Sequence, residues 1–210
     1  MRTVMNPDHL IRDEAALSAL YGGGNAASMA KEIGYIHPHY RAFIEASTYV
    51  VLATCGPDGL DCSPRGDTAG FVVVEDEHTL LLPDRAGNNR VDTLHNLVID
   101  PRVGLLFLIP GVGESLRVNG TAAISVDPAL LARFKVGDKP PRSVVVITAE
   151  TVYYQCPRAA VRAELWNPDK FIARAALPSS GTILADLSAG QLGGAEWDRT
   201  RDATVRATLY

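Results

Sequence analysis

Thr48-Tyr49-Val50-Val51-Leu52-Ala53-Thr54, then Cys55-Gly56-Pro57-Asp58-Gly59, then Leu60-Asp61-Cys62-Ser63-Pro64-Arg65-Gly66-Asp67 reads as strand, tight turn and strand. β-Branched and apolar residues fill the first segment, the Gly-Pro-Asp-Gly turn breaks it, and the chain extends again from Leu60, which predicts a β-hairpin. Side chains alternate along an extended segment, so Ser63, Arg65 and Asp67 share one face while Pro64, Gly66 and Thr68 take the other. That face offers a hydroxyl, a guanidinium and a carboxylate. The planar fork of Arg65 suits a phosphate dianion, and Asp67 is placed to hold such an arginine. A surface strand carrying a salt bridge shows the same pattern.

Downstream, Phe71–Val74 and Thr79–Leu82 flank Glu75-Asp76-Glu77-His78 as a second hairpin. Asp84-Arg85-Ala86-Gly87-Asn88-Asn89-Arg90 follows, and Val91, Leu94 and Leu97-Val98 then recur at helical spacing until Asp100-Pro101 ends the helix. Asn89 as cap with Asp92 three residues on imitates a capping box, and free N–H groups at a helix start favour an anion. Arg85 and Arg90 bracket the turn. A plain strand-to-helix connection is the alternative, but two Arg, two Asn and a Gly within residues 85–90 exceed what a connector requires.

Val103–Ile109 is a continuous apolar run, and Leu116–Ser125 is extended with an interruption at Gly120 that predicts a bulge or a close approach. In Glu114-Ser115-Leu116-Arg117-Val118-Asn119-Gly120, residues Ser115, Arg117 and Asn119 share a polar face, suited to a heterocycle or simply to water at a sheet edge. Asp127-Pro128 begins a short helix through Phe134, and 143–148 and 151–155 read as two further strands. About seven short strands with inserted helices predict a small antiparallel barrel. Upstream, His9–Leu20 and Pro38–Ala46 are helical, the second with Tyr40, Phe43 and Ile44 on one face. Beyond Pro157 a helix runs to Trp166, Ser179-Ser180 caps another through Leu187, and residues 190–206 read as weakly ordered.

Composition bounds the function. With 210 residues, 47% hydrophobic and 21% charged, the chain can bury a full core as one domain with an appendage. We divide it into a helical extension, 1–40, and a main domain, 41–210. A net charge of −4 and no local basic patch speak against a nucleic-acid partner. Cys55, Cys62 and Cys156 form no C-x-x-C pair, and His37-Pro38-His39 is a poor ligand set, so no disulfide framework and no metal site are expected. The sequence shows no signal peptide and no segment of transmembrane length, so the expected location is cytoplasmic, without membrane contact.

The order strand, S-P-R-G-D, strand pair, P-D-R-x-G-N-N-R, helix, D-P-R-V-G-L-L-F-L-I-P-G and L-R-V-N-G resembles the pyridoxamine 5′-phosphate oxidase-related, FMN-binding split-barrel superfamily. More narrowly it is similar to a bacterial branch of FMN-dependent proteins with an N-terminal helical extension, over roughly Tyr40 to Pro168. The resemblance implies an α+β fold, mainly β, built as a six-stranded antiparallel Greek-key split barrel. It implies a homodimer with FMN in the clefts between subunits and a small-molecule redox substrate. Arg65, Asn88, Asn89 and Arg90 match positions near the FMN phosphate and ribityl chain, with Ser63 beside them and Asp67 and Arg85 in the same runs. Ser115 and Arg117 match positions that contact the flavin ring. Residues 156–166 resemble the closing signature of that branch, which implies Arg162 or Trp166 near the cofactor. The phosphate turn departs from oxidases proper, which place serine, arginine and lysine where this chain has Asn88-Asn89-Arg90, and no tryptophan-arginine substrate motif follows Trp166. The implied function is that of an FMN-dependent oxidoreductase of unassigned substrate. The alternatives are a non-catalytic flavin carrier or sensor, or the same fold with a deazaflavin or haem.

Overall fold

Extended segments between residues 49 and 155, most of them with alternating burial, form seven strands in one antiparallel sheet. They are β1 (Tyr49–Gly56), β2 (Gly59–Gly66), β3 (Val73–Val74), β4 (Thr79–Pro83), β5 (Arg102–Leu108), β6 (Ser115–Ser125) and β7 (Val144–Gln155), in the order β2-β1-β5-β6-β7-β4-β3. The structure is a computed structural model, and it describes residues 6–210. The first five residues of the expected extension lie outside the described residues.

The α+β class is as read from the sequence, but the sheet has one strand more than the expected six. β3 pairs only two residues, Val73 with Leu81 and Val74 with Leu80, before the acidic turn ends it. Both hairpins form, the first closing with Gly56 opposite Gly59. Residues 143–155, expected as two strands, make the single strand β7: the expected break is a bulge, where Glu150 is left without a partner between the pairs Gly120–Ala149 and Asn119–Thr151. A Cβ at Gly120 would stand 1.9 Å from the Thr148 carbonyl oxygen, so only glycine lets the two strands meet there.

Among the described residues eight α-helices accompany the sheet: α1 (Glu14–Tyr21), α2 (Ala26–Ala30), α3 (Pro38–Ala46), α4 (Asp92–Ile99), α5 (Pro128–Ala132), α6 (Arg158–Ala163), α7 (Ser180–Leu187) and α8 (Gly194–Ala207). The chain divides into two units, Met1–Glu32 and Ile33–Tyr210. In the first, Asp13 caps α1 by accepting from the Ala16 amide at 2.8 Å, Gly22 at φ 67° ends it, and Asn25 caps α2. In the second, one sheet face builds the core from fully buried residues such as Leu52, Leu105, Phe107, Leu116 and Ile147. Each such side chain contributes roughly 1.5–3 kcal/mol by leaving water. Ile44 of α3 and Leu97 of α4 belong to the same core, with Tyr40 and Phe43 packed against it.

Residues 190–206, expected to be weakly ordered, contain most of α8. α8 packs on α7, and Asp198 holds the pair together by accepting from the Ser179 hydroxyl and, at 2.8 Å, from the Gly181 amide. The helix predicted to Trp166 stops at Ala163, where Glu164 turns left-handed at φ 48°. β2 and β4 stand five places apart in the strand order, yet Arg65 and Asp84 meet at 2.8 Å. The sheet therefore curls until side chains bridge its two ends.

Candidate functional site

The register of the first hairpin decides what β2 offers. Asp61, Ser63 and Arg65 stand opposite Thr54, Leu52 and Val50, all buried, so these three polar side chains face the interior while Cys62, Pro64 and Gly66 are exposed. A polar face on the core side of an end strand leaves room that apolar residues would have filled. A cavity of about 680 Å³ opens there. Its walls are the inner face of β2, the turn from Asp84 to Arg90, the first turn of α4 and residues 142–143 ahead of β7, with Phe71 and Leu94 as apolar surface.

Two crossed ion pairs join the runs at 63–67 and 84–90. Arg65 meets Asp84 at 2.8 Å, and Arg85 donates from Nε to Asp67 at 2.8 Å. Asp67 thus holds an arginine, as its chemistry suggests, but the arginine is Arg85; Asp84, absent from the predicted set, holds Arg65. Asp67 lies just beyond β2, its side chain only 4% exposed and outside the cavity lining. Burial opposes its charge, but hydrogen bonds from the Tyr210 hydroxyl at 2.6 Å, the Thr68 amide and Arg85 outweigh that and hold its carboxyl below the usual range. The same bond to Asp67 pushes the Tyr210 hydroxyl upward. Arg85 also donates to the Phe134 carbonyl at 2.6 Å, and its guanidinium lies 5.6 Å from the centre of the Tyr210 ring. Arg65 keeps one donor, Nε, buried without a protein partner.

The turn itself differs from the predicted capping box. Asn89 does not cap α4: it lies left-handed at φ 59°, and its side-chain oxygen accepts from Arg142 at 2.7 Å. Val91 takes the cap position at φ 48°, with no side-chain hydrogen bond to the first turn. The N-terminus of α4 is therefore uncapped at the cavity wall, where Asp92, Thr93 and Leu94 line it. Asn88 accepts from the Arg90 amide at 3.1 Å, and Arg90, 78% exposed, pairs with Asp92 at 2.5 Å.

Among the predicted residues, Ser63, Arg65, Arg85, Asn88, Asn89 and Arg90 come together around this cavity. Ser115 and Arg117 do not. They project from the opposite face of the sheet, where Arg117 donates to the Tyr153 hydroxyl at 2.8 Å. Arg162 is exposed on α6, and the Trp166 indole donates to the Val112 carbonyl at 2.7 Å, both outside the cavity lining. Sequence reasoning missed Asp61, which accepts from Thr93 at 2.8 Å, and Arg142. Strand alternation already put Asp61 on the Ser63 face; nothing local marks Arg142, whose partner is far off in sequence. Among the described residues no cluster of three or more His, Cys, Asp or Glu could hold a metal, and no helix is long and apolar enough to cross a membrane.

Residues 36–156, more than half of the chain, match the family described as pyridoxamine 5′-phosphate oxidase. The chain belongs to the pyridoxamine 5′-phosphate oxidase family. The matched span contains every residue that lines the cavity, from Asp61 to Ser143, and leaves α6, α7 and α8 outside. No curated protein matches the chain in sequence. Similar solved structures include HupZ of Group A Streptococcus, 19% identical, covering 56% of this chain and 91% of that one with a TM-score of 0.45. A protein of Clostridium acetobutylicum related to general stress protein 26 of B. subtilis is 18% identical, covering 56% and 85%, with a TM-score of 0.44. An FAD binding protein from Mycobacterium smegmatis is 16% identical, covering 59% and 97%, with a TM-score of 0.41.

Proposed function

We propose that the cavity holds FMN, with its phosphate toward the Arg/Asn turn, and that the protein is an FMN-dependent oxidoreductase built as a split-barrel homodimer. The observation that carries this reading is the one cavity that the two runs share, with Arg65 and Arg85 in its wall fixed by carboxylates. The donor set fits a phosphorylated flavin. The Ser63 hydroxyl, the Asn88 side-chain amide and the exposed Arg90 suit a phosphate and a polyol chain, while Phe71 and Leu94 offer apolar surface. The unpartnered Nε of Arg65 is a further donor in that wall.

FMN, when bound, supplies hydride chemistry; the protein supplies position and electrostatics. Asp84 and Asp67 fix the side chains of Arg65 and Arg85, so these groups meet a ligand without first being ordered. Arg90 must leave only an exposed pair, worth roughly 0–1 kcal/mol, to reach a phosphate. In a homodimer, Ser115 and Arg117 of the second copy would face the flavin ring, where a positive charge favours the reduced, anionic state. Arg117→Ala should then lower the flavin midpoint potential, and an unchanged potential in a spectroelectrochemical titration counts against that role.

The test is reconstitution with FMN followed by addition of NADPH or NADH. Reduction of the bound flavin and reoxidation by oxygen or a quinone supports an oxidoreductase. Bound flavin that never cycles points to a carrier or sensor instead. Arg90→Ala should weaken FMN retention on gel filtration, and equal flavin content in variant and wild type would remove Arg90 from the site.

A further inference from the structure

We propose that Arg142, just ahead of β7, supplies the net positive charge by which this cavity selects a phosphate monoester. The inference rests on the FMN reading and deepens it. Four arginines line the cavity, and three already face a carboxylate: Arg65 meets Asp84, Arg85 meets Asp67, and Arg90 meets Asp92. Arg142 donates to the side-chain oxygen of Asn89, a neutral acceptor, and among the described residues it has no ion pair. The residues that the family resemblance places at the phosphate thus have their charge matched by the protein itself. Arg142 does not.

Position agrees with charge. The Asp84 amide donates to the carbonyl of Ser143 at 2.9 Å, so Arg142 stands beside the Arg65–Asp84 pair. The one cavity carboxylate without an arginine, Asp61, is four residues back along β2 from Arg65, about 13 Å at roughly 3.3 Å per residue. The cavity is therefore polarised, with excess positive charge at the Arg142 end and excess negative charge at the Asp61 end. A phosphate would enter at the Arg142 end and be repelled from the other. The Arg142–Asn89 bond also ties Arg142 to the left-handed turn at Asn89, so the guanidinium is held at that end of the cavity.

FMN and riboflavin differ only in the phosphate, so their affinity ratio isolates this charge. Fluorescence titrations of flavin-free protein with each should show wild type preferring FMN. Arg142→Gln should cut that preference about tenfold or more, the scale of a lost charge-assisted hydrogen bond, with riboflavin affinity unchanged. Arg142→Lys should keep part of the preference, because the charge remains while the fork is lost. An Arg142→Gln variant that retains the wild-type ratio overturns the proposal. If wild type binds neither flavin, the FMN reading fails, and inorganic phosphate alone becomes the probe. A rise in melting temperature with phosphate that Arg142→Gln abolishes upholds the anion site; a rise that persists overturns it.

Discussion

Asp67 is the residue whose loss should reach furthest, because one nearly buried carboxylate accepts from Arg85, Tyr210 and Thr68 at once. Asp67→Asn strands the Arg85 charge and should destabilise the domain by about 3 kcal/mol in urea unfolding at pH 7. Its pH dependence has a definite sign. A carboxyl held below its unfolded value contributes stability above that value and loses it as pH falls through the folded one, so wild type should weaken below roughly pH 4. The Tyr210 hydroxyl, pushed upward, contributes below its unfolded value near pH 10 and loses that contribution as pH rises further. Asp67→Asn should flatten the acid limb, and a variant with the wild-type slope between pH 3 and 5 would contradict the assignment. At this scale the sequence was half legible. Alternation placed Ser63 and Arg65 on one shared face, but that this face turns inward, and that Arg65 pairs with Asp84 and Arg85 with Asp67, depends on how the sheet curls, which no local pattern encodes.

At the scale of elements, the β6–β7 pair carries the clearest sequence mark and the clearest consequence. Gly120 stands where β6 shifts register, with the Thr148 carbonyl in the space of its missing side chain. Gly120→Ala must push the strands apart and should cost about 3 kcal/mol, with faster amide exchange in β6 and β7 than in β1 and β2. Equal exchange in both hairpins would show that the close approach is not needed. The turn before α4 is the counter-example. Asn89 and Asp92 have capping-box spacing, yet the Asn89 oxygen is taken by Arg142 from 53 residues on, so a tertiary contact overrides a local preference. α8 was missed for a related reason: Gly190 to Gly194 read as disorder, while Asp198 ties α8 back to the start of α7.

For the whole molecule, the seven-strand order brings β2 round to the turn after β4, and the cavity is what remains between the ends of the curled sheet. The succession of strands and helices along the chain was legible from hairpin turns, the apolar run at 103–109 and the order of the motifs, but the order of strands within the sheet was not. The depth of the cavity was not, since it depends on polar residues facing inward from an end strand. The outward face bearing Ser115 and Arg117 belongs, in the proposed homodimer, to the second copy's flavin. Whether this cavity is a flavin site is read from the visible spectrum of the purified protein before and after incubation with FMN and removal of free ligand. A flavin site here gives a yellow protein with oxidised-flavin absorption, at up to one FMN per chain. A protein that stays colourless after incubation with FMN would contradict it.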